Sequence, residues 1–246
     1  MHLNKFANQA AYEAATIDKP AVSLVGSDVI YDSDPSNGHA YVDLGLRSGG
    51  NKILFATMNI GAAAPQDYGD YFAWGETSKR YTSISGTSFV GGTFVESNAP
   101  FYDGSKYTKY NYTDSKLTLD AADDVATVQW GGNWRIPDNA DLEYLLNSTY
   151  CTAEWTSNYN STGVAGLVVT GKGDYASNSI FFPAAGFGGG DAVRYAGVFG
   201  GYGSRCRNEW VPDNIDYLYF DKDNQYNSST LRDSGYPVRP VLVIPE

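Results

Sequence analysis

The sequence predicts an α+β fold in which many short strands accompany two helices and much of the chain is irregular. Three observations carry this expectation. Apolar residues recur at helical spacing in two windows only, after Asp120 and after Asp138. Short apolar or alternating runs, each bounded by turn residues, are spread along the rest of the chain. Twenty-seven glycines and ten prolines break up the remainder, which is the composition of a turn-rich fold. With 246 residues, 42% of them hydrophobic and 15% aromatic, the chain can bury a substantial core.

Residues 1–35 read as a small separate module. Asn8 can cap a short helix reaching Ala15, and AVSLVG and DVIYD form a hairpin turning at Gly26-Ser27. The polar stretch DSDPSNG (32–38) links this module to a larger domain that begins near His39 and runs to residue 246. YVDLGL alternates as a half-buried strand does, and KILFAT is a more buried one. The aromatic block PQDYGDYFAWGET (65–77) suits packed irregular chain, and the Ser/Thr/Gly/Tyr-rich residues 78–118 suit a long surface excursion.

Asp120 opens the first helix, with Ala122, Val125, Ala126 and Gln129 on one face and Asp123 and Asp124 at its positive end. The second starts at Asp138, with Asp141 at capping-box spacing and Leu142, Leu145 and Leu146 facing inward. Strands GLVVTG, SIFFPA, IDYLYF and PVRPVLVI follow. Trp74, Trp130 and Trp134 are expected in the core, and Arg239 as a structural ion-pair partner.

The formal net charge of −11 argues against a nucleic-acid or anionic-lipid partner, both of which need a cationic face. No apolar run is long enough to span a bilayer, so no direct membrane insertion is expected. The start, MHLNKFANQAAYEAA, lacks the basic-then-apolar pattern of a secretion signal. Cys151 and Cys206 are expected as free thiols, the first buried and the second on a loop surface.

The parts for catalysis are sparse. The two histidines are His2 and His39, and no His/Cys/Asp group has metal-ligand spacing. No serine sits in an elbow-like motif, and the G-x-G of GFGGG (186–190) precedes no helix. Asp67, Asp70 and Glu76 lie among Tyr68, Tyr71, Phe72 and Trp74, where a sugar cleft could use two acids, but turn capping accounts for them. DKDN (221–224) reads as a solvated turn. The expectation is a protein with no catalytic residues, metal or cofactor.

The stretch Phe182–Pro240 says most about function. It opens on FFPAAGFGGG and closes on GYPVRPV, with a glycine-studded mixture of Arg, Tyr, Phe and Trp between them. The mixture shows no sustained period and reads as loop. Aromatic and guanidinium groups on loops held by a rigid frame are a common way to build a binding site.

Four blocks resemble the Fibrobacter succinogenes major paralogous domain. They are YVDLGLRSGGNKILFATMNIGAAAPQDYGDYFAWGE, WGGNWRIPDNADLEYLLN, VVTGKG with SIFFPAAGF, and YLYF with GYPVRPV, over roughly residues 39–243. The resemblance implies a C-type lectin-like fold: two helices beside a small twisted antiparallel sheet. Where that family carries an aromatic-Trp-Ser-Ser run, this chain has Gly201-Tyr202-Gly203-Ser204-Arg205. Change concentrated between intact frames resembles the variable proteins of diversity-generating retroelements, in which adenine codons of a C-terminal segment are rewritten. Glu209 and Trp210 fall outside the products of an Asn codon and are expected to be fixed. The N-terminal module resembles attachment modules on gut phage and Bacteroides-type proteins.

The resemblance implies a receptor-binding or adhesion protein of a phage virion or bacterial cell surface, gripping a bacterial surface protein or glycan through segment 193–232. Homo-oligomers are compatible with it. The expected contacts are Arg194, Tyr195, Val198, Phe199, Tyr202, Arg205, Arg207, Asp213, Asn214, Asp216, Asn227, Leu231 and Arg232. The arginines at 194, 205 and 207 would pair with acidic groups, and Tyr195, Phe199 and Tyr202 would be apolar anchors. Tyr217 and Tyr219 are assigned to strand packing. The alternatives are a cell-envelope domain of the same family without a diversified site and a carbohydrate-active enzyme.

Overall fold

The computed structural model describes residues 36–246 and, within the first 35, only the backbone of three short strands. These are β1 (Asn4–Phe6), β2 (Ser23–Val25) and β3 (Asp28–Ile30), in the order β1-β2-β3. β2 and β3 pair antiparallel with Val25 opposite Asp28, as the Gly26-Ser27 turn suggests. The helix expected from Asn8 to Ala15 lies outside the described residues.

The larger part of the chain is mostly β, built as several small sheets. This corrects the α+β, C-type lectin-like expectation. Two short helices lie among the described residues, and the strands are divided between separate sheets, not gathered in one. β4 (Tyr41–Ser48), β5 (Asn51–Ala56), β9 (Trp134–Arg135) and β19 (Val241–Pro245) form one sheet in the order β4-β5-β19-β9. β6 (Tyr71–Phe72) pairs with β18 (Tyr236–Pro237). β7 (Ser83–Ser85), β8 (Ser88–Val90), β13 (Phe187–Gly189) and β14 (Ala192–Arg194) make a third, so the 78–118 excursion carries strands of its own. β10 (Cys151–Thr156), β11 (Gly166–Gly171) and β12 (Ser179–Pro183) are a continuous antiparallel set.

The first helix, α1, is shorter than its sequence signal. Residues Ala121–Asp123 make a 3₁₀ turn, and α1 runs only from Val125 to Trp130. The reason is Asp124. Its carboxylate accepts the amides of Ala126 and Thr127, which caps the helix there, and it also accepts the Ile136 amide. The second helix, α2 (Asn139–Leu146), begins as expected, with Asp138 and Asp141 forming a reciprocal capping box. Leu142 and Leu145 are fully buried.

The larger correction concerns the segment read as loop. It folds into an antiparallel sheet, β15 (Phe199–Arg207), β16 (Asn214–Asp221) and β17 (Gln225–Leu231), in that order. One side of this sheet faces the core. Tyr202 opposes Leu218, and Gly200 opposes Phe220; the three side chains are all at most 1% exposed. They pack with Leu142, Leu145, Phe182 and Val241. A Cβ on Gly200 would come within 2.0 Å of the Phe220 ring, so glycine is what lets that ring lie flat against β15. Trp74 and Trp134 are buried as expected, and Trp130 is half buried.

Polar groups tie this layer to the rest. The Tyr202 hydroxyl donates to the Pro183 carbonyl (2.9 Å) and accepts from Asn59 Nδ2 (3.2 Å). Asn59 Oδ1 in turn accepts from Arg239 Nε (2.8 Å), whose other nitrogens donate to the Ala56 and Phe181 carbonyls. Arg239 is therefore a buried carbonyl clamp and not the ion-pair partner expected.

An aromatic face as the candidate binding site

Because side chains alternate across a strand, the residues between the core-facing ones on β15–β17 project to the other side. There β16 contributes Tyr217 and Tyr219, β15 contributes Phe199, and β17 contributes Tyr226 and Ser228. The cross-strand register sets Tyr219 opposite Tyr226 and Tyr217 opposite Ser228. Rings of Tyr226 and Tyr219 stack at 4.9 Å, and those of Tyr219 and Phe199 at 5.3 Å. The β13–β14 hairpin and the turn after it add Phe187 and Tyr195, each about one ring-width from Phe199 (6.0 and 5.8 Å).

Tyr236 of β18 closes the arrangement, 6.0 Å from Phe187 and 5.7 Å from Tyr217. Tyr217 meets Tyr219 edge-on at 6.4 Å. Tyr219, Phe199, Phe187, Tyr236 and Tyr217 thus form a closed circuit of ring contacts. Gly201 lies among them, opposite Tyr219, and a Cβ there would come within 2.7 Å of the Tyr236 ring. Offset and edge-on ring pairs of this kind add to area burial by about 0.5–1.5 kcal/mol each, so the face is held in shape without a ligand.

The face is open to solvent at its ends, where Tyr226 is 48% and Tyr195 61% exposed. Tyr195 also holds a left-handed backbone (φ 59°), an unfavourable conformation for a non-glycine residue. Tyr219 donates to Asp221 Oδ2 (2.7 Å), and its phenol pKa is pushed up by burial and then by that carboxylate. Burial raises Tyr217 as well. Both phenols are protonated at neutral pH, as an ordinary tyrosine is, and the Tyr219 hydrogen is already given to Asp221.

The expected contact residues divide. Arg194, Tyr195 and Val198 are exposed, and Phe199 half buried, all at this face or its rim. Arg194 Nε donates to the Gly189 carbonyl (3.0 Å). Leu231 is 55% exposed at the end of β17, and Asp213 is exposed beside Pro212 in a separate cleft. Asn214 and Asp216 are half buried and engaged with Ser229 and Asn208. Asn227, paired with Leu218, lies on the core side and buries its amide.

Three expected contacts are corrected outright. Tyr202, Arg207 and Arg232 are 1%, 4% and 1% exposed. Arg207 donates to the carbonyls of Lys116 and Asn208, and Arg232 to those of Tyr110, Pro212 and Lys109. These side chains hold loops to the sheet and cannot meet a partner. Arg205 is half buried and already paired with Asp138 (2.6 Å), so it has no free charge to offer. Cys206 lies on β15, not on a loop, 3.7 Å from Asp138, and burial pushes its thiol up to about 11. Cys151 is buried, and both thiols are free.

Tyr217 and Tyr219, expected only to pack within the strand, form the middle of the face. The alternation in IDYLYF, with Leu218 and Phe220 inward, is the signal that places both tyrosines outward. The acids weighed for a sugar cleft are engaged elsewhere: Asp67 caps the Ala63 and Ala64 amides, Asp70 pairs with Lys79, and Glu76 with Arg80. His39 stacks on Trp130 at 3.8 Å. Among the described residues, no helix is long and apolar enough to cross a membrane. No family model, curated protein or solved structure matches the chain.

Proposed function

We propose that this chain is a ligand-binding protein, acting in receptor binding or adhesion, and that the aromatic face is where it grips. The supporting observation is the division of labour on one sheet. The inner face carries the core, while the outer face presents connected rings with protonated phenols at its centre and exposed tyrosines at its ends. Tyrosines combine large contact area with low ordering cost and a hydrogen-bonding tip, the chemistry of adaptable recognition surfaces. The partner is a bacterial surface protein or glycan, and the setting a phage virion or bacterial cell surface. Binding, not catalysis, is the activity.

The resemblance to retroelement-diversified proteins sharpens the proposal. Variation between isolates belongs at the outward positions Tyr195, Val198, Phe199, Tyr217, Tyr219 and Tyr226, and not at Tyr202, Arg207 or Arg232. Sequencing the locus from several isolates tests this; variation at the three buried positions as often as at the outer ones overturns it. A labelled full chain incubated with panels of gut bacteria tests binding itself. Tyr219→Ala with Tyr226→Ala is expected to weaken cell binding by at least about thirtyfold, since each seated anchor contributes ~2 kcal/mol and two are removed. Undiminished binding by a folded variant rules this face out.

A further inference from the structure

Away from the aromatic face, the loop between β15 and β16 meets the 93–118 excursion in a cleft of about 350 Å³. Its walls are Tyr102, Tyr107 and Tyr112, with Pro212, and its rim carries Glu96, Asp213 and Lys106. The walls are braced from behind. The Arg232 guanidinium sits 3.7 Å from the centre of the Tyr107 ring, and that of Arg207 5.6 Å from the centre of Tyr112. The Tyr112 hydroxyl also donates to the Trp210 carbonyl, tying the two loops together.

Carboxylates outnumber the lining cation here: Glu96 and Asp213 line the opening with Lys106, and Asp103 and Asp233 act on its tyrosines. Burial and the neighbouring Glu96, Asp103 and Asp213 together hold the Tyr102 phenol above its usual pKa. Tyr107 is raised by burial and then by Asp233, with Glu96 and Asp213 adding to it and Arg232 opposing. Asp233, half buried, is itself raised by burial and by Glu96, and its Oδ1 has no hydrogen-bond partner. Among the described residues, Glu96, Asp213 and Lys106 enter no ion pair. Arg207 and Arg232 lie behind the tyrosines and donate to backbone carbonyls, and the Arg232 charge still acts on Tyr107 and Asp213. Around the opening, Tyr112 is 65%, Val211 46% and Trp210 79% exposed.

We propose that this cleft receives a lysine or arginine side chain presented by a partner polypeptide. Tyrosine rings attract a cation over their faces, the carboxylates supply opposite charge, and the apolar stem of such a side chain can lie along the half-buried Tyr102 and Pro212. The exposed patch of Tyr112, Trp210 and Val211 gives the flanking peptide a surface to cover, which a small free cation would leave bare. The site is independent of the aromatic face, and neither reading depends on the other.

Titrating the full chain with acetyl-Gly-Lys-Gly-amide and acetyl-Gly-Arg-Gly-amide, followed by tryptophan fluorescence and calorimetry, tests it. Both peptides should bind saturably, and the glutamine counterpart about tenfold more weakly or worse. Added salt should weaken binding. Glu96→Gln with Asp213→Asn, both at exposed positions, should lose about tenfold in affinity with an unchanged near-ultraviolet dichroism spectrum. Tyr219→Ala with Tyr226→Ala should leave peptide binding intact. Equal binding of the glutamine peptide, no saturable binding of the basic ones, an indifferent acid double variant, or loss with the aromatic-face variant would each overturn the proposal.

Discussion

The two faces of the β15–β17 sheet are made from the same strands yet follow opposite rules. Inward, Tyr202, Leu218 and Phe220 are sealed, and the Tyr202 hydroxyl is engaged by Asn59 and the Pro183 carbonyl. Outward, Phe199, Tyr217, Tyr219 and Tyr226 meet one another, Phe187, Tyr195 and Tyr236, with Tyr226 open to solvent, and only Ile215 at the far end of that side enters a core cluster. Identical side-chain chemistry therefore has different consequences one residue apart. A ring on the inner face is a stability element, and a ring on the outer face can change with little cost to the fold.

The widest gap between the faces should appear in neighbouring residues of β16. Phe220→Ala removes a ring that lies flat on Gly200 and packs against Tyr202 and Trp155, and it should cost about 3–5 kcal/mol. Tyr219→Ala, its immediate neighbour, should cost less, about 1–2 kcal/mol, because its pairs with Phe199, Tyr217 and Tyr226 lie on the half-exposed side. Urea midpoints at constant m-value measure both. Similar losses for the two would mean that the outer rings are a second core.

The arginines repeat the contrast on a smaller scale. Arg232→Met leaves the carbonyls of Tyr110, Pro212 and Lys109 without their donor and removes a guanidinium held between Trp74 and Tyr107. A loss of about 3 kcal/mol is expected, since stranded buried acceptors cost about 1–3 kcal/mol each and some relax toward water. Arg194→Met, on the exposed rim, should stay within about 0.5 kcal/mol. Equal effects in thermal or urea unfolding would remove the distinction between clamp and contact.

Parts of this division are visible in the sequence and parts are not. The Asp138–Asp141 spacing marks the start of α2 because a capping box is a local interaction. The alternation in IDYLYF marks β16, and read one step further it assigns Tyr217 and Tyr219 to the outer face. β15 is hidden because Gly200, Gly201 and Gly203 occupy positions where side chains would have shown the period. Arg207 and Arg232 resemble surface residues because the carbonyls that receive them come from residues 109–116 and 208–212, distant in sequence for most of those bonds. The small sheets are likewise hidden: β8 joins β14 across a hundred residues, and no local pattern records that pairing.

Glu76 offers a pH test on the frame itself. Burial raises its pKa above the ordinary carboxyl value, while Arg80 and the Ala73 amide pull it back. A carboxyl raised in the folded state binds its proton more tightly there than in the unfolded chain. The wild type should therefore gain stability relative to Glu76→Gln as pH falls from the raised value toward 4.5, and lose that gain as pH rises. Paired urea titrations across this window check the sign; an unchanging difference would mean Glu76 is solvated.

The finest distinction concerns Cys206, which lies near the end of β15 beside Asp138. If the strand is held along its whole length, the thiol stays shielded, with its pKa raised to about 11 chiefly by burial and further by the Asp138 charge. Only about one thiol in a thousand is then ionised at pH 8, and attack by a disulfide reagent should run roughly a hundredfold slower than at a solvated cysteine. Denaturant should restore the normal rate. The single variant Cys151→Ser isolates the signal, because the buried Cys151 thiol is also raised to about 11. Rapid reaction at pH 8 would show that this end of β15 opens under native conditions, and the inner face would then carry the core only as far as Tyr202 and Ser204.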